Sequence, residues 1–206
     1  MTHGQQVNLL DQVVDESIDP ILNGYLTGEH TTDIPKLVRT IQDNEYKIKV
    51  GIHTNAEVVL GANWYGHVEG SPLITQVFTS TVAGGPYKGE EILGKDNFSK
   101  ISSSLLPAAY KGTLYAAASK GMRKVVLTLI GGGAFNNDVL KIWEAIEEAL
   151  NEVELVLSSE LDVFITIRNM DELTRRVPAQ YVMKTVRRYG GAIIRFEDDD
   201  TISIER

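Results

Sequence analysis

The chain has 206 residues, of which 43% are hydrophobic and 23% are charged, as in an ordinary globular protein. This length favours a single domain over residues 1–206, large enough to be stable without a disulfide or metal. Cysteine is absent, which excludes disulfide scaffolds, thiolate zinc sites and cysteine nucleophiles. The net charge of −8 argues against nucleic acid as a partner, because phosphate contacts need clustered Lys and Arg.

The sequence also predicts a protein without a membrane anchor. No apolar run approaches the roughly 20 residues that span a bilayer. The first residues show neither the basic nor the apolar region of a secretory signal. We therefore expect a soluble, cytoplasmic protein. The absence of cysteine fits a reducing compartment.

The first third of the chain gives two helical patterns. Residues 7–14 carry apolar side chains at positions that suit a short helix. Asp33 followed by Pro35 predicts a second helix that continues through Ile41, since aspartate caps helices and proline fits their first turn.

Two strands and a long loop are expected next. Polar and apolar residues alternate over 47–52, and residues 73–82 are rich in threonine, valine and isoleucine. Both patterns predict strands. Residues 84–104 are rich in glycine and serine and predict a long loop.

The middle of the chain predicts a strand–helix–strand unit. An alanine-rich helix over 105–120 ends at Gly121. The nearly all-apolar stretch 124–130 predicts a strand buried on both faces. An amphipathic helix over 139–150 and a second buried strand over 161–167 follow, and a right-handed crossover would make the two strands parallel.

The last part of the chain predicts a helix and a hairpin. The helix begins at Pro178 and ends at Gly190, and strands over 192–196 and 201–204 follow. The turn between the strands reads Glu197-Asp198-Asp199-Asp200. A solvated turn explains these acids better than a metal site.

The glycine loop, residues 129–138, is the strongest chemical signal. It reads Leu-Ile-Gly-Gly-Gly-Ala-Phe-Asn-Asn-Asp and lies between a strand and an amphipathic helix. Glycine lets backbone N–H groups approach a ligand, and a helix N-terminus favours an anion, so the loop suits a diphosphate. It is neither a P-loop nor a dinucleotide fingerprint. The alternative is a tight turn in which Asn136 or Asn137 caps the helix.

The surrounding residues carry a resemblance to a known family. Leu-Pro-Ala-Ala-Tyr-Lys-Gly-Thr-Leu-Tyr-Ala-Ala leads through Gly121 into Thr-Leu-Ile-Gly-Gly-Gly-Ala-Phe, and Ile-Trp-Glu-Ala-Ile follows. This order resembles the C-terminal half of a macrodomain, in a divergent branch of the family. The resemblance covers residues 47–168 and leaves 1–46 as a divergent N-terminal part and 169–206 as a C-terminal extension. It implies a three-layer α/β/α sandwich with a mixed sheet and an added helix and hairpin.

The resemblance implies binding of ADP-ribose, a related nucleotide diphosphate or an ADP-ribosylated protein. The four histidines show no metal-ligand spacing, so we expect no metal, and we expect no cofactor. In macrodomains the loop wraps the diphosphate, and its aromatic residue packs beside the distal ribose. Trp64 and Tyr65 could stack an adenine or, equally well, form a hydrophobic plug within their loop. A bulky side chain at Gly132 is expected to abolish nucleotide binding while leaving the fold intact, because it would block the approach of the backbone to the diphosphate and penalise a left-handed φ. The ligand-binding residues implied are Gly131, Gly132, Gly133, Ala134, Phe135, Asn136, Thr79, Ser80 and His53.

The catalytic candidates are Glu57 and Asn55, which we expect just after a strand end. Some members of the divergent branch hydrolyse ADP-ribosyl bonds and carry an acid where this chain has Asn55. Glutamate could activate a water, whereas asparagine cannot take a proton. The usual first macrodomain loop, Asn-x-x-Asn before a glycine triplet, is also missing. We therefore expect binding with weak or absent hydrolysis. The alternative is a non-catalytic scaffold that keeps the fold without the ligand.

Overall fold

The fold is mixed α/β, as the sequence predicts. The computed structural model describes residues 7–15, 26–59, 68, 70–79, 81–158, 160–196 and 202–205. The helices are α1 (Ile34–Asp43), α2 (Gly89–Leu93), α3 (Lys95–Ser119), α4 (Val139–Val156), α5 (Met170–Thr174) and α6 (Ala179–Arg188). The strands are β1 (Gly51–Glu57), β2 (Leu73–Phe78), β3 (Lys124–Thr128), β4 (Asp162–Thr166), β5 (Ile193–Phe196) and β6 (Ile202–Glu205). None of the helices in these ranges combines the length and apolarity needed to cross a membrane.

The described strands form three two-stranded sheets. β1 pairs with β2 and β5 pairs with β6, both antiparallel, and β3 pairs with β4. The N–H of Asp162 donates to the carbonyl of Arg123 at 2.8 Å, so β3 and β4 begin side by side, as strands joined by a crossover helix should. The chain divides into two compact units, Met1–Ile165 and Thr166–Arg206.

Helix α1 confirms its sequence signals. The Asp33 carboxylate accepts a hydrogen bond from the N–H of Lys36 at 2.9 Å, which is the expected N-cap. The apolar side chains Leu37, Val38 and Ile41 are buried on one face. Residues 7–15, in contrast, form a turn rather than the predicted helix.

Helix α3 overturns the prediction of a long loop over 84–104. The helix begins at Lys95, ten residues before the predicted start at residue 105. The Ser103 hydroxyl donates to the carbonyl of Ser99 at 2.9 Å, which satisfies the side chain within the helix. Phe98 is buried on the opposite side, so burial of an apolar face outweighs the low helix propensity of serine.

Helix α3 lies between two apolar clusters of the first unit. Its N-terminal half contributes Phe98, Ile101 and Leu105 to a cluster with α1. Its C-terminal half contributes Leu106, Tyr110 and Leu114 to a second cluster with β3 and α4. The helix ends as predicted, and Gly121 has the left-handed φ of 67° that a helix end favours.

Strand β3 is buried on one face only, which corrects the prediction of burial on both. Val125 and Leu127 are buried, but Val126 between them is 62% exposed. Phe164 in the neighbouring strand is 46% exposed. Helices α3 and α4 bury only the face of the strand that they contact. An apolar run in the sequence does not show whether a second layer covers the other face.

The first strand lies further along the chain than predicted, and the second is shorter than predicted. Glu45–Lys47 forms a 3₁₀ turn, so β1 begins only at Gly51. β2 ends at Phe78 rather than at residue 82. Val82 instead forms an isolated parallel bridge with Leu26.

The second unit confirms the predicted helix and hairpin. α6 follows Pro178, and the hairpin ladder runs from the pair Ile193–Glu205 to the pair Phe196–Ile202. The acidic turn, residues 197–200, lies outside the described residues.

Candidate functional site

The glycine loop follows the carboxyl end of β3, and a buried tyrosine fixes its start. The Tyr110 hydroxyl donates to the carbonyl of Thr128 at 2.8 Å and accepts from the N–H of Ile130 at 2.9 Å. Burial raises the pKa of this hydroxyl far above its ordinary value, against the opposing hydrogen bond from Ile130. The hydroxyl therefore stays protonated and keeps its donor role.

Asn137 holds the other end of the loop. Its side chain is almost fully buried, at 2% exposure, and does not cap α4 as the sequence suggested. Its amide oxygen accepts hydrogen bonds from Ser102 at 2.6 Å and Thr81 at 3.3 Å. Its amide nitrogen donates to the carbonyl of Val82 at 3.0 Å. One side chain therefore joins the loop to α3 and to the segment that follows β2.

Gly131 is the glycine of the loop that needs to be glycine. Its φ is 74°, and an added Cβ would lie 2.6 Å from the amide nitrogen of Asn137. Gly132 does not have a left-handed φ, which corrects the expectation made for that position. An added Cβ at Gly132 would lie 3.1 Å from Cδ1 of Ile142, and one at Gly133 would meet nothing within 4 Å.

Residues 81–90, called segment 81–90 below, pack against the glycine loop. The N–H of Gly84 donates to the carbonyl of Phe135 at 2.9 Å. An added Cβ at Gly85 would lie 2.4 Å from the carbonyl oxygen of Ala134, so the backbones touch there. The rings of Tyr87 and Phe135 meet edge to face with centroids 5.2 Å apart.

A solvent-exposed hydrogen bond also joins segment 81–90 to the loop. The Asn136 amide donates to the Glu90 carboxylate at 3.0 Å, at an exposed position. Asn136 itself has a φ of 55°, a left-handed conformation that asparagine tolerates better than most residues.

Two exposed residues of the loop have backbone donors that remain available. Gly133 and Ala134 are exposed, and in the described part of the chain their N–H groups have no hydrogen-bond partner. The N-terminus of α4 is already capped, because the Asp138 carboxylate accepts from the N–H of Leu140 at 2.9 Å. An anion could therefore use Gly133 and Ala134, but would meet the Asp138 carboxylate at the helix end.

The catalytic candidates lie within β1 rather than after it. The register shifts between His53 and Ala56, and Asn55 adopts a φ of 60° at this bulge. Because a bulge adds one residue, His53 and Glu57 face opposite sides of the strand pair, whereas regular alternation would place them on one side. The side chains of His53, Asn55 and Glu57 are exposed, and no hydrogen bond within the described residues joins them to the loop.

The remaining candidates give less information. Thr79 is partly buried just after β2. Ser80, Trp64 and Tyr65 lie outside the described residues. Among the residues that can be described, no group of three or more acids and histidines is placed to hold a metal ion.

Sequence reasoning missed the packing of segment 81–90 against the loop, and it missed Asn137, the residue that joins the two. Gly84 and Gly85 were a visible signal, since paired glycines often mark a close backbone approach. Asn137 carried no such signal, because its partners Ser102 and Thr81 are 35 and 56 positions away in sequence. Comparison with protein-family models, curated proteins and solved structures finds no match.

Proposed function

We propose that this chain binds ADP-ribose or a related nucleotide diphosphate at the glycine loop. The observation that supports it most is that Gly133 and Ala134, in the loop that follows the carboxyl end of β3, are exposed and have N–H groups without a hydrogen-bond partner among the described residues. Ligands of α/β proteins commonly bind at such strand ends. The Asn137 network supports the proposal further, because a preformed loop loses little entropy on binding.

The three-layer sandwich of macrodomain type belongs to the same proposal. The pairing of β3 with β4 and the packing of α3 and α4 against one face of this pair account for two of its three layers. The third layer and the single mixed sheet are proposed from the resemblance described above.

Calorimetric titration with ADP-ribose, NAD and ADP tests the proposal, with Gly133→Val as the informative variant. An added Cβ at Gly133 meets nothing within 4 Å, so the fold should remain intact while the side chain occupies the space of the ligand. Gly132→Val is less informative, because its Cβ would crowd Ile142. Binding by the parent and loss of binding in Gly133→Val, with an unchanged urea midpoint, is the expected result. Equal affinity of both proteins would disprove the assignment of the loop.

The second candidate is a non-catalytic scaffold that keeps the fold without the ligand. The observation that favours it is the Asp138 carboxylate at the N-terminus of α4, where it competes with any bound anion. Absence of heat and of thermal stabilisation with all three ligands would select this candidate.

Hydrolysis is proposed to be weak or absent. The positions of His53 and Glu57 on opposite sides of β1 make a joint role in proton transfer difficult. The test is release of ADP-ribose from modified arginine, aspartate and serine peptides, with Glu57→Gln in parallel. Robust turnover would contradict this proposal, and its loss in Glu57→Gln would still support a role for Glu57.

A further inference from the structure

We propose that Lys88 supplies the cation of the site and pairs with the diphosphate that the glycine loop binds. This inference rests on the function proposed above. Lys88 is the only basic residue within residues 81–90 and 129–138, the two segments that pack against each other at the loop. A diphosphate carries negative charge that two backbone N–H groups cannot balance, so an exposed lysine in the segment that packs against the loop can supply the missing positive charge.

The position of Lys88 follows from a short chain of contacts. Gly85 touches the backbone of Ala134, one of the two loop residues whose N–H has no partner among the described residues. The Gly85–Tyr87 turn then keeps Lys88 close to Gly85, because the N–H of Lys88 donates to the carbonyl of Gly85 at 2.9 Å. The flexible stem of lysine lets the ammonium extend from this point over the loop.

The side chain of Lys88 is available for this role. It is exposed, and its ammonium forms no hydrogen bond or ion pair with any residue that the structure describes. The nearby Glu90 carboxylate accepts instead from the Asn136 amide.

The backbone of Lys88 gives a second, independent indication. Its φ is 58°, a left-handed conformation in which glycine would be more stable than lysine. A strained residue that stability alone would replace is a reason to look for a function.

The experiment compares the affinity for ADP-ribose of the parent, Lys88→Gln, Lys88→Arg and Lys88→Gly by calorimetry. Lys124→Gln is the matched control, because Lys124 is an exposed lysine at the opposite end of β3. Lys88→Gln should bind about tenfold more weakly, Lys88→Arg should retain most of the affinity, and Lys124→Gln should match the parent. Increasing salt should weaken the parent more than Lys88→Gln.

Lys88→Gly separates binding from stability. It should lose affinity as Lys88→Gln does, although its urea midpoint should be equal to or above that of the parent. Equal affinity of the parent, Lys88→Gln and Lys88→Gly would overturn the role of Lys88 while the proposed function stands. A parent that binds none of the three ligands would overturn both proposals.

Discussion

The amide oxygen of Asn137 accepts a hydrogen bond from the Ser102 hydroxyl at 2.6 Å and so fastens the glycine loop to helix α3. Both side chains are buried, at 2% and 1% exposure, so neither has water as an alternative partner. The shape of the loop therefore depends on a contact between distant parts of the chain.

Asn137→Ala should lower the free energy of unfolding by about 3 kcal/mol, because it leaves buried hydroxyl and carbonyl groups unpaired. Equilibrium unfolding in urea measures this. Asn136→Gly is the control, since Asn136 is exposed and glycine accepts its φ of 55°. The control should stay within about 0.5 kcal/mol of the parent. Similar unfolding curves for Asn137→Ala and the parent would contradict the role of the network.

Gly131→Ala and Gly133→Ala should differ in stability although both add one methyl group. At Gly131 the methyl group would lie 2.6 Å from the Asn137 amide and 2.9 Å from a Thr81 methyl carbon, at a φ of 74°. We expect a loss of about 2 kcal/mol or more there. At Gly133 the methyl group enters open space, and stability should be unchanged or rise by about 0.5 kcal/mol. Thermal unfolding of the two variants in parallel checks the difference, and equal melting temperatures would refute it.

Tyr110→Phe should destabilise the protein by about 1 to 3 kcal/mol, because the carbonyl of Thr128 and the N–H of Ile130 would lose their shared partner. Tyr46→Phe is a suitable control, since Tyr46 is 80% exposed. Urea denaturation should show a clear loss for the first variant only. If both variants unfold with the parent, Tyr110 does not hold the start of the loop.

Acid should weaken the contact between α3 and α4 at Glu152. The Glu152 carboxylate accepts from the Lys111 ammonium at 2.7 Å and from the Tyr115 hydroxyl at 2.9 Å. The hydrogen bond from Lys111 lowers the pKa of Glu152, partial burial opposes this, and the Tyr115 hydroxyl adds to it. A lowered carboxyl pKa gives stability that is complete above the unfolded pKa and is lost as the pH falls through the folded pKa.

Glu152→Gln should therefore show a smaller loss of stability on acidification than the parent. The difference should stay below about 1 kcal/mol, because the Glu152 side chain is 42% exposed and solvent screens the pair. Urea unfolding at neutral pH and below the ordinary glutamate pKa measures it. Glu144→Gln, at an exposed position of the same helix, should keep the pH dependence of the parent. Identical behaviour of both variants would contradict the assignment.

Local patterns were sufficient where a residue acts on its own neighbours in sequence. Asp33 caps α1 through Lys36, three positions away, and Pro178 precedes α6 as expected. The strand, glycine loop and helix at 124–156 follow from apolar periodicity and consecutive glycines. The prediction failed at the serine-rich start of α3, because residue propensity favours a loop there, whereas burial of Phe98 favours the helix.

Periodicity and turn chemistry over a few residues were enough to predict the mixed α/β class, the position of the glycine loop and the helix and hairpin at the C-terminus. Three features emerge only in the folded chain: Asn137 is buried, Gly84 and Gly85 contact the loop, and a bulge separates His53 from Glu57. These features join residues that are distant in sequence, or depend on strand register. Only the folded chain sets which backbone approaches which, so no local pattern contains them.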